Sequence, residues 1–251
     1  MSDPRTGVAL VTGASRGVGA AIARRLSQEG LTVGVNFLEH EEAAANVVRE
    51  IEEAGGRALA IRADVRDEEA LRAAARYLHD EIGPIAVLVH NAGARLQPAK
   101  FAEVGWDDFQ QHFDVAVRGA VNACRVCLPG MAERRHGAVI FVGSAAAHAV
   151  PPPQWSSYVT AKAALRGLAR ALAVEYGAFG VRVNTVSPGM VPTELTAFVP
   201  DRMKQMIAQQ APLKRLASGE DVAGAVAFLA SEAGAYVTGV DLPIAGGTVM
   251  E

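Results

Sequence analysis

Val8-Ala9-Leu10-Val11-Thr12-Gly13-Ala14-Ser15-Arg16-Gly17-Val18-Gly19 runs into Ala20-Ala21-Ile22-Ala23-Arg24-Arg25-Leu26, and the rest of the chain is arranged around it. An apolar run, a glycine-rich turn and a small-residue helical pattern read as strand, tight turn and helix. Gly13 lets the chain turn where a Cβ would clash. Gly17 and Gly19 let backbone approach a ligand and let the helix pack close to the sheet. The first N–H groups of such a helix are unpaired and sit at the positive end of its dipole, which suits a phosphate or pyrophosphate. The spacing is T-G-x-x-x-G-x-G, one residue longer between the first two glycines than the commoner G-x-G-x-x-G. A glycine-rich turn alone specifies only a turn; at the head of a strand–helix alternation it points to a nucleotide site.

That alternation continues outward. Strands are predicted at 8–12, 31–37, 57–63, 86–90, 138–143 and 181–187, and helices at 17–29, 41–54, 67–82, 107–135, 156–179, 201–210 and 219–231. Repeated strand–helix units build a parallel sheet with helices on both faces, and the strands read as the continuous apolar runs of doubly covered strands. No linker, repeat or low-complexity tract divides the chain, and Pro151-Pro152-Pro153 is too short to separate domains. The expectation is one α/β, doubly wound (Rossmann) domain over 1–251, with a parallel sheet of about seven strands and a crevice at the C-terminal strand ends.

The composition agrees. Of 251 residues, 50% are hydrophobic and 20% charged, enough apolar material for a sizeable core. A net charge of −3 without a long basic run argues against nucleic acid as a partner. No apolar run is long enough to span a bilayer, the first residues lack a signal region, and the two cysteines make no disulfide framework. Together these predict a cytoplasmic protein.

Three places along the crevice carry cofactor chemistry. The second strand ends in Asn36-Phe37-Leu38, where dinucleotide folds often place an acid on the ribose 2′-hydroxyl. A carboxylate there would repel a 2′-phosphate; its absence, with Arg16 in the turn, favours NADP(H) over NAD(H). Glu39 would reverse this if it pointed inward. Asp64, ending the third strand before Val65, is placed to hydrogen-bond an adenine amino group, while Asp67 is the better cap for the next helix. His90-Asn91-Ala92-Gly93 ends the fourth strand with small residues that let backbone lie against a cofactor.

Ser144 follows the fifth strand, Tyr158 comes fourteen residues later and Lys162 four after that. Positions i and i+4 share a helix face, so phenol and ammonium can both point into the crevice. A free tyrosine with a pKa near ~10 is a poor base, and moving it to ~7 takes about 4 kcal/mol. An ammonium at about 4 Å supplies roughly that at an effective dielectric near 20. Tyr158 is then expected to exchange a proton near neutral pH, with Ser144 holding a carbonyl oxygen.

As a set, Thr12 to Gly19, Asp64, Asn91-Ala92-Gly93, Ser144, Tyr158/Lys162 and Pro188-Gly189 with Thr193 resemble the short-chain dehydrogenase/reductase family. The chain is most similar to its 3-oxoacyl-(acyl carrier protein) reductase-like branch, from Val8 to about Gly247. The resemblance implies hydride transfer between a nicotinamide cofactor and a carbonyl, with Tyr158 as acid/base, Ser144 as substrate orienter and Lys162 as Tyr158 activator and ribose ligand. The expected cofactor-binding set is Gly13, Ser15, Arg16, Gly17, Val18, Gly19, Phe37, Asp64, Val65, Asn91, Ala92, Gly93, Tyr158, Lys162, Pro188, Gly189, Val191 and Thr193, with no metal. It also implies a homotetramer built partly by helices 107–135 and 156–179, and a small-molecule substrate, free or bound to a carrier protein.

Three departures stand out. Where the family usually has asparagine in a D-V-N-x-x-G pattern, this chain has Ala116 in Asp114-Val115-Ala116-Val117-Arg118-Gly119. That asparagine belongs to a water-linked proton relay reaching the lysine; Ala116 keeps only the carbonyl, and Asn122 lies about 120° away around the helix. His90 replaces a more usual asparagine, and Ala245 a usual aspartate. The altered relay keeps imine reduction and a non-redox dehydratase or isomerase open beside ketone reduction, with a non-catalytic nucleotide-binding protein as the remaining alternative.

Cys124 and Cys127 sit mid-helix without further ligands and read as buried thiols, and His112 and His148 read as isolated. The proline-rich stretch 145–157, with Trp155, is expected to wall the substrate pocket. Residues 189–212, with Leu195, Phe198, Met203, Met206 and Ile207, are expected to form an apolar lid, which suggests a fairly hydrophobic substrate.

Overall fold

The structure is a computed structural model, described here over residues 7–148 and 150–250. The N-terminal stretch read for a signal region, Ala149 in the expected pocket wall, and Glu251 lie outside the described residues.

Seven strands form one parallel sheet in the order β3-β2-β1-β4-β5-β6-β7: β1 (Val8–Val11), β2 (Thr32–Phe37), β3 (Ala58–Arg62), β4 (Ile85–His90), β5 (Gly137–Val142), β6 (Val181–Pro188) and β7 (Asp241–Ile244). The helices are α1 (Gly17–Gln28), α2 (Glu41–Glu53), α3 (Glu68–Glu81), α4 (Trp106–His112), α5 (Gly119–Arg134), α6 (Ser156–Gly177), α7 (Asp201–Gln210) and α8 (Gly219–Ala230). Side chains alternate along each strand and so feed two cores. In β1, Ala9 and Val11 face the core made with α1, α2 and α8, whereas Val8 and Leu10 face the one made with α3, α5 and α6. Both faces are covered, which is why β1 and β5 carry no polar side chain and the polar residues of β2, β4 and β6 are mostly buried and hydrogen-bonded.

β7 escaped the apolar-run reading. It is a four-residue edge strand, half-buried, holding Asp241 and Pro243, and it pairs with β6 from Thr185↔Asp241 to Pro188↔Ile244. A proline is tolerated there because an edge strand need not donate on both sides. The single helix expected at 107–135 runs without a gap but widens in its first half. α4 ends at His112, a wide π-type turn spans Phe113–Arg118, and α5 begins at Gly119. Asp67 caps α3 by accepting from the Glu69 and Ala70 N–H groups at 2.9 and 3.1 Å, as expected of it. No helix among the described residues is long and apolar enough to cross a membrane.

β1 and β4 are neighbours in the sheet but their connections leave to opposite faces, which opens a crevice above their C-terminal ends. The glycine-rich turn, the Asn91-Ala92-Gly93 turn, Ser144 and Pro188-Gly189 all follow strand ends on this one edge.

Candidate active site

The glycine-rich turn is pinned from below and left open above. Gly13 and Gly17 take positive φ of 61° and 57°, a conformation that disfavours a side chain. The Thr12 N–H donates to the Val89 carbonyl at 2.9 Å and the Ala14 N–H to the Asn36 carbonyl at 2.8 Å. The Asn91 amide donates to the Thr12 and Gly13 carbonyls at 3.1 and 2.9 Å. A Cβ on Gly19 would lie 2.4 Å from the Gly13 carbonyl oxygen, so helix and turn can approach this closely only at glycine. Arg16 stands at the N-cap of α1 and makes no side-chain cap, which leaves the first N–H groups of the helix to an outside anion. A Cβ on Gly93 would meet nothing within 4 Å. These features fit a nicotinamide dinucleotide, with its pyrophosphate against the start of α1.

The adenosine end is arranged differently from the expectation. Phe37 is 5% exposed and belongs to the core packed with α1 and α2, and Val65 is buried in the opposite core. Asn36 is also buried, its amide donating to the Ile61 and Ala63 carbonyls at 3.3 and 2.9 Å. Leu38, Glu39 and His40 are the exposed side chains between β2 and α2. The Asp64 carboxylate accepts from Arg66 Nε and Nη2, at 3.0 and 2.6 Å, and this pairing holds it below its ordinary value. The buried Asn122 donates to the Val65 carbonyl at 3.0 Å, fixing this loop instead of replacing the missing asparagine.

Ser144 leaves β5 and accepts from the Ala146 N–H at 3.2 Å, capping the short turn Ala145–Ala147. α6 carries Tyr158 and Lys162 one turn apart. The Lys162 ammonium donates to the Val142 carbonyl at 2.7 Å and lies 5.9 Å from the Tyr158 ring centroid. Burial lowers it to about 8. The Tyr158 phenol is raised by burial, opposed only by its hydrogen bond with Ser144. The expected lowering by Lys162 is therefore not met in this state, because the ammonium is engaged with backbone and desolvation of the phenol prevails.

His112, isolated in the sequence, is not isolated in the fold. Here its buried ring meets Tyr158 edge-on at 5.8 Å between centroids, and burial and then the Lys162 charge hold it below its ordinary value. No spacing in the sequence signals this contact, because it joins the end of α4, where the π-type turn begins, to α6. Trp155 packs edge-on to Tyr158 at 5.5 Å and against Phe198 at 6.4 Å, so the proline-rich stretch and the 189–212 segment meet over the tyrosine. In that segment the buried Val191 and the turn Glu194–Thr196 follow Gly189, and α7 buries none of its residues. Thr193 Cγ2 lies 3.5 Å from where a Gly17 Cβ would stand, and Glu194 pairs with Arg16. The segment therefore crosses the mouth of the cradle. Cys124 and Cys127 are free buried thiols, the latter pushed up to about 12.

At Ala116, His90 Nε2 lies 3.0 Å from the carbonyl oxygen, while His90 Nδ1 lies 3.1 Å from the Thr12 hydroxyl. The whole arrangement can hold a carbonyl oxygen against two hydroxyls, exclude water with aromatic rings, and set that carbonyl beside a bound dinucleotide.

The family model described as enoyl-(acyl carrier protein) reductase matches residues 13–249. The chain is 37% identical over 244 residues to a 3-oxoacyl-[acyl-carrier-protein] reductase of Staphylococcus aureus, covering 96% of this chain and 98% of that one. It is 38% identical over 240 residues to a cis-4-hydroxycyclohexanecarboxylate dehydrogenase of Sinomonas cyclohexanicum, covering 96% and 95%. A solved 7α-hydroxysteroid dehydrogenase, complexed with NADH and a 7-oxo bile acid, superposes with a TM-score of 0.91 at 31% identity, over 100% of this chain and 99% of that one. With the crevice, the Ser144/Tyr158/Lys162 cluster and these likenesses together, the chain belongs to the short-chain dehydrogenase/reductase family of NAD(P)-dependent oxidoreductases that act on carbonyl and hydroxyl groups.

Proposed function

We propose that the protein is an NADPH-dependent reductase of a ketone, of acyl or polyketide type, in a fairly apolar substrate. The observation that carries this reading is the clustering about the half-buried Tyr158: Ser144 hydrogen-bonds its hydroxyl, Lys162 stands one helical turn on, and the His112 and Trp155 rings pack edge-on against it. Desolvation raises the phenol above its ordinary value, which favours the protonated state needed to give a proton to a carbonyl oxygen, and Ser144 hydrogen-bonds the same hydroxyl and can steady that oxygen. When bound, the nicotinamide supplies the hydride. Lys162, moored to the Val142 carbonyl, keeps a positive charge beside the developing phenolate and is available to a ribose hydroxyl. Trp155 and Phe198, with Leu195 of the same lid at 189–212, offer apolar contact to the substrate and keep water from the reacting carbon.

The NADP preference is supported by the absence of a carboxylate at Asn36, Phe37 and Leu38, where β2 ends, and by Arg16 at the mouth of the cradle. The exposed Val174 and Phe179 are apolar side chains at and after the C-terminal end of α6, in keeping with a homotetramer that uses this helix. A cytoplasmic location accords with the composition. Following NADPH absorbance with ethyl 3-oxobutanoate, acetoacetyl-coenzyme A and 4-oxocyclohexanecarboxylate tests the reading. Turnover on at least one, falling at least 10²-fold in Tyr158→Phe, is the expected result. Product formation without NADPH consumption, or NADPH binding with no turnover on any ketone, overturns it.

A further inference from the structure

Two of the three departures from the family pattern touch each other. His90, at the end of β4, and Ala116, in the wide turn between α4 and α5, are joined by the 3.0 Å contact from Nε2 to the carbonyl oxygen. The tautomer follows from counting partners. The Thr12 hydroxyl already accepts from the Asn91 and Ala92 N–H groups, both at 3.1 Å, which fills its two lone pairs. Its own hydrogen must therefore go to the remaining neighbour, His90 Nδ1 at 3.1 Å. Nδ1 is thus the acceptor, Nε2 carries the proton, and Nε2 donates to Ala116. The ring is 1% exposed, so both nitrogens are fully used. Room for it is made by Gly119, where a Cβ would lie 3.1 Å from His90 Cε1, and Phe141 packs edge-on at 6.3 Å.

We propose that His90 is a positioning residue which, as a neutral Nε2–H imidazole, ties the Ala116 carbonyl to Thr12 and so holds the wide 113–118 turn in register with the cofactor cradle. One chain of hydrogen bonds then links the glycine-rich turn, the Asn91-Ala92 turn and the turn that delivers His112 to Tyr158. A side chain that inserts into a helical ladder is a recognised cause of such a turn, and π-type turns concentrate at functional sites. Burial and the nearby Lys162 charge push His90 down to about 3, which keeps the imidazole neutral at every working pH.

Two substitutions separate the ends of the tether. Asparagine places its amide where Nδ1 stands and loses Ala116; glutamine places its amide nitrogen where Nε2 stands and keeps Ala116. Nitrogen-15 spectra of the imidazole in the wild-type protein are expected to show Nε2 protonated and Nδ1 bare, unchanged from pH 5 to 9. An Nδ1–H tautomer, or titration in that range, overturns the proposal. This arm is independent of substrate. The kinetic arm rests on the ketone-reductase reading: in NADPH-dependent reduction of ethyl 3-oxobutanoate, kcat is expected to fall about tenfold in His90→Asn, the worth of one buried hydrogen bond. His90→Gln, which keeps the Ala116 end and gives up the Thr12 end, should recover only part of it, with KM for the ketone within about twofold throughout. Equal kcat in wild type and His90→Asn, or a larger loss in His90→Gln, overturns the proposal. If His90→Asn does not fold, the spectra and His90→Gln decide. Absence of turnover in the wild type with the expected spectra would remove the ketone reading and leave the tether standing.

Discussion

Lys162 is a buried charge whose cost can be measured. Its side chain sits in a residue 7% exposed, and burial brings it from 10.5 to about 8. The folded value lies below the unfolded one, so between these values the unfolded chain binds more protons and stability rises with pH. The destabilising effect is fully present below about pH 8 and is relieved as pH climbs towards 10.5. That gap corresponds to ~3 kcal/mol. Lys162→Met keeps much of the stem, removes the charge and leaves the Val142 carbonyl without its donor, which costs about 1 kcal/mol or more. The net expectation at pH 7 without cofactor is a gain of roughly 1–2 kcal/mol, or a Tm higher by about 2–8 °C for a chain of this size. Reductase activity should be lost at the same time. Thermal melts of both proteins at pH 7 and pH 10.5 are the assay, and the variant's advantage should vanish or reverse at the higher pH. A variant that melts below wild type at pH 7, or an advantage equal at both pH values, refutes the reasoning.

Arg16→Ala should raise KM for NADPH roughly tenfold and leave KM for NADH unchanged, a modest effect because the guanidinium is half exposed and already shared with Glu194; equal effects on both cofactors would count against the NADP assignment. Gly19→Ala drives a Cβ to 2.4 Å from the Gly13 carbonyl oxygen, so a loss of about 1–3 kcal/mol in a urea melt is expected. NADPH affinity measured by fluorescence titration should fall at least tenfold with it.

The doubly wound sheet was readable because its strands are buried on both faces and its turns carry glycine where φ is positive. β7 was not, since an edge strand needs no apolar run and this one begins with Asp241. Tyr158 and Lys162 stand out in the sequence only as part of a set, since a tyrosine and a lysine one helical turn apart are ordinary until Thr12–Gly19 and Asn91-Ala92-Gly93 accompany them. The state of the phenol was not legible, because it depends on which atom the ammonium faces, and that atom is a backbone carbonyl on another element. Phe37 turns its side chain into the core with Val33 and Val35, the face that strand alternation gives it, so that only its backbone faces the end of β2. His112 and the His90–Ala116 contact join residues whose meeting depends on the width of one helical turn, which periodicity does not encode.

All of the chemistry gathers above one edge of a parallel sheet, and the opposite rim is therefore free for handling. The Gly83-Pro84 turn, between α3 and β4, belongs to that far rim, and a Cβ on Gly83 would touch nothing within 4 Å. A tag or surface anchor attached there would leave the crevice turned towards the bulk solution, a convenient orientation for an immobilised catalyst.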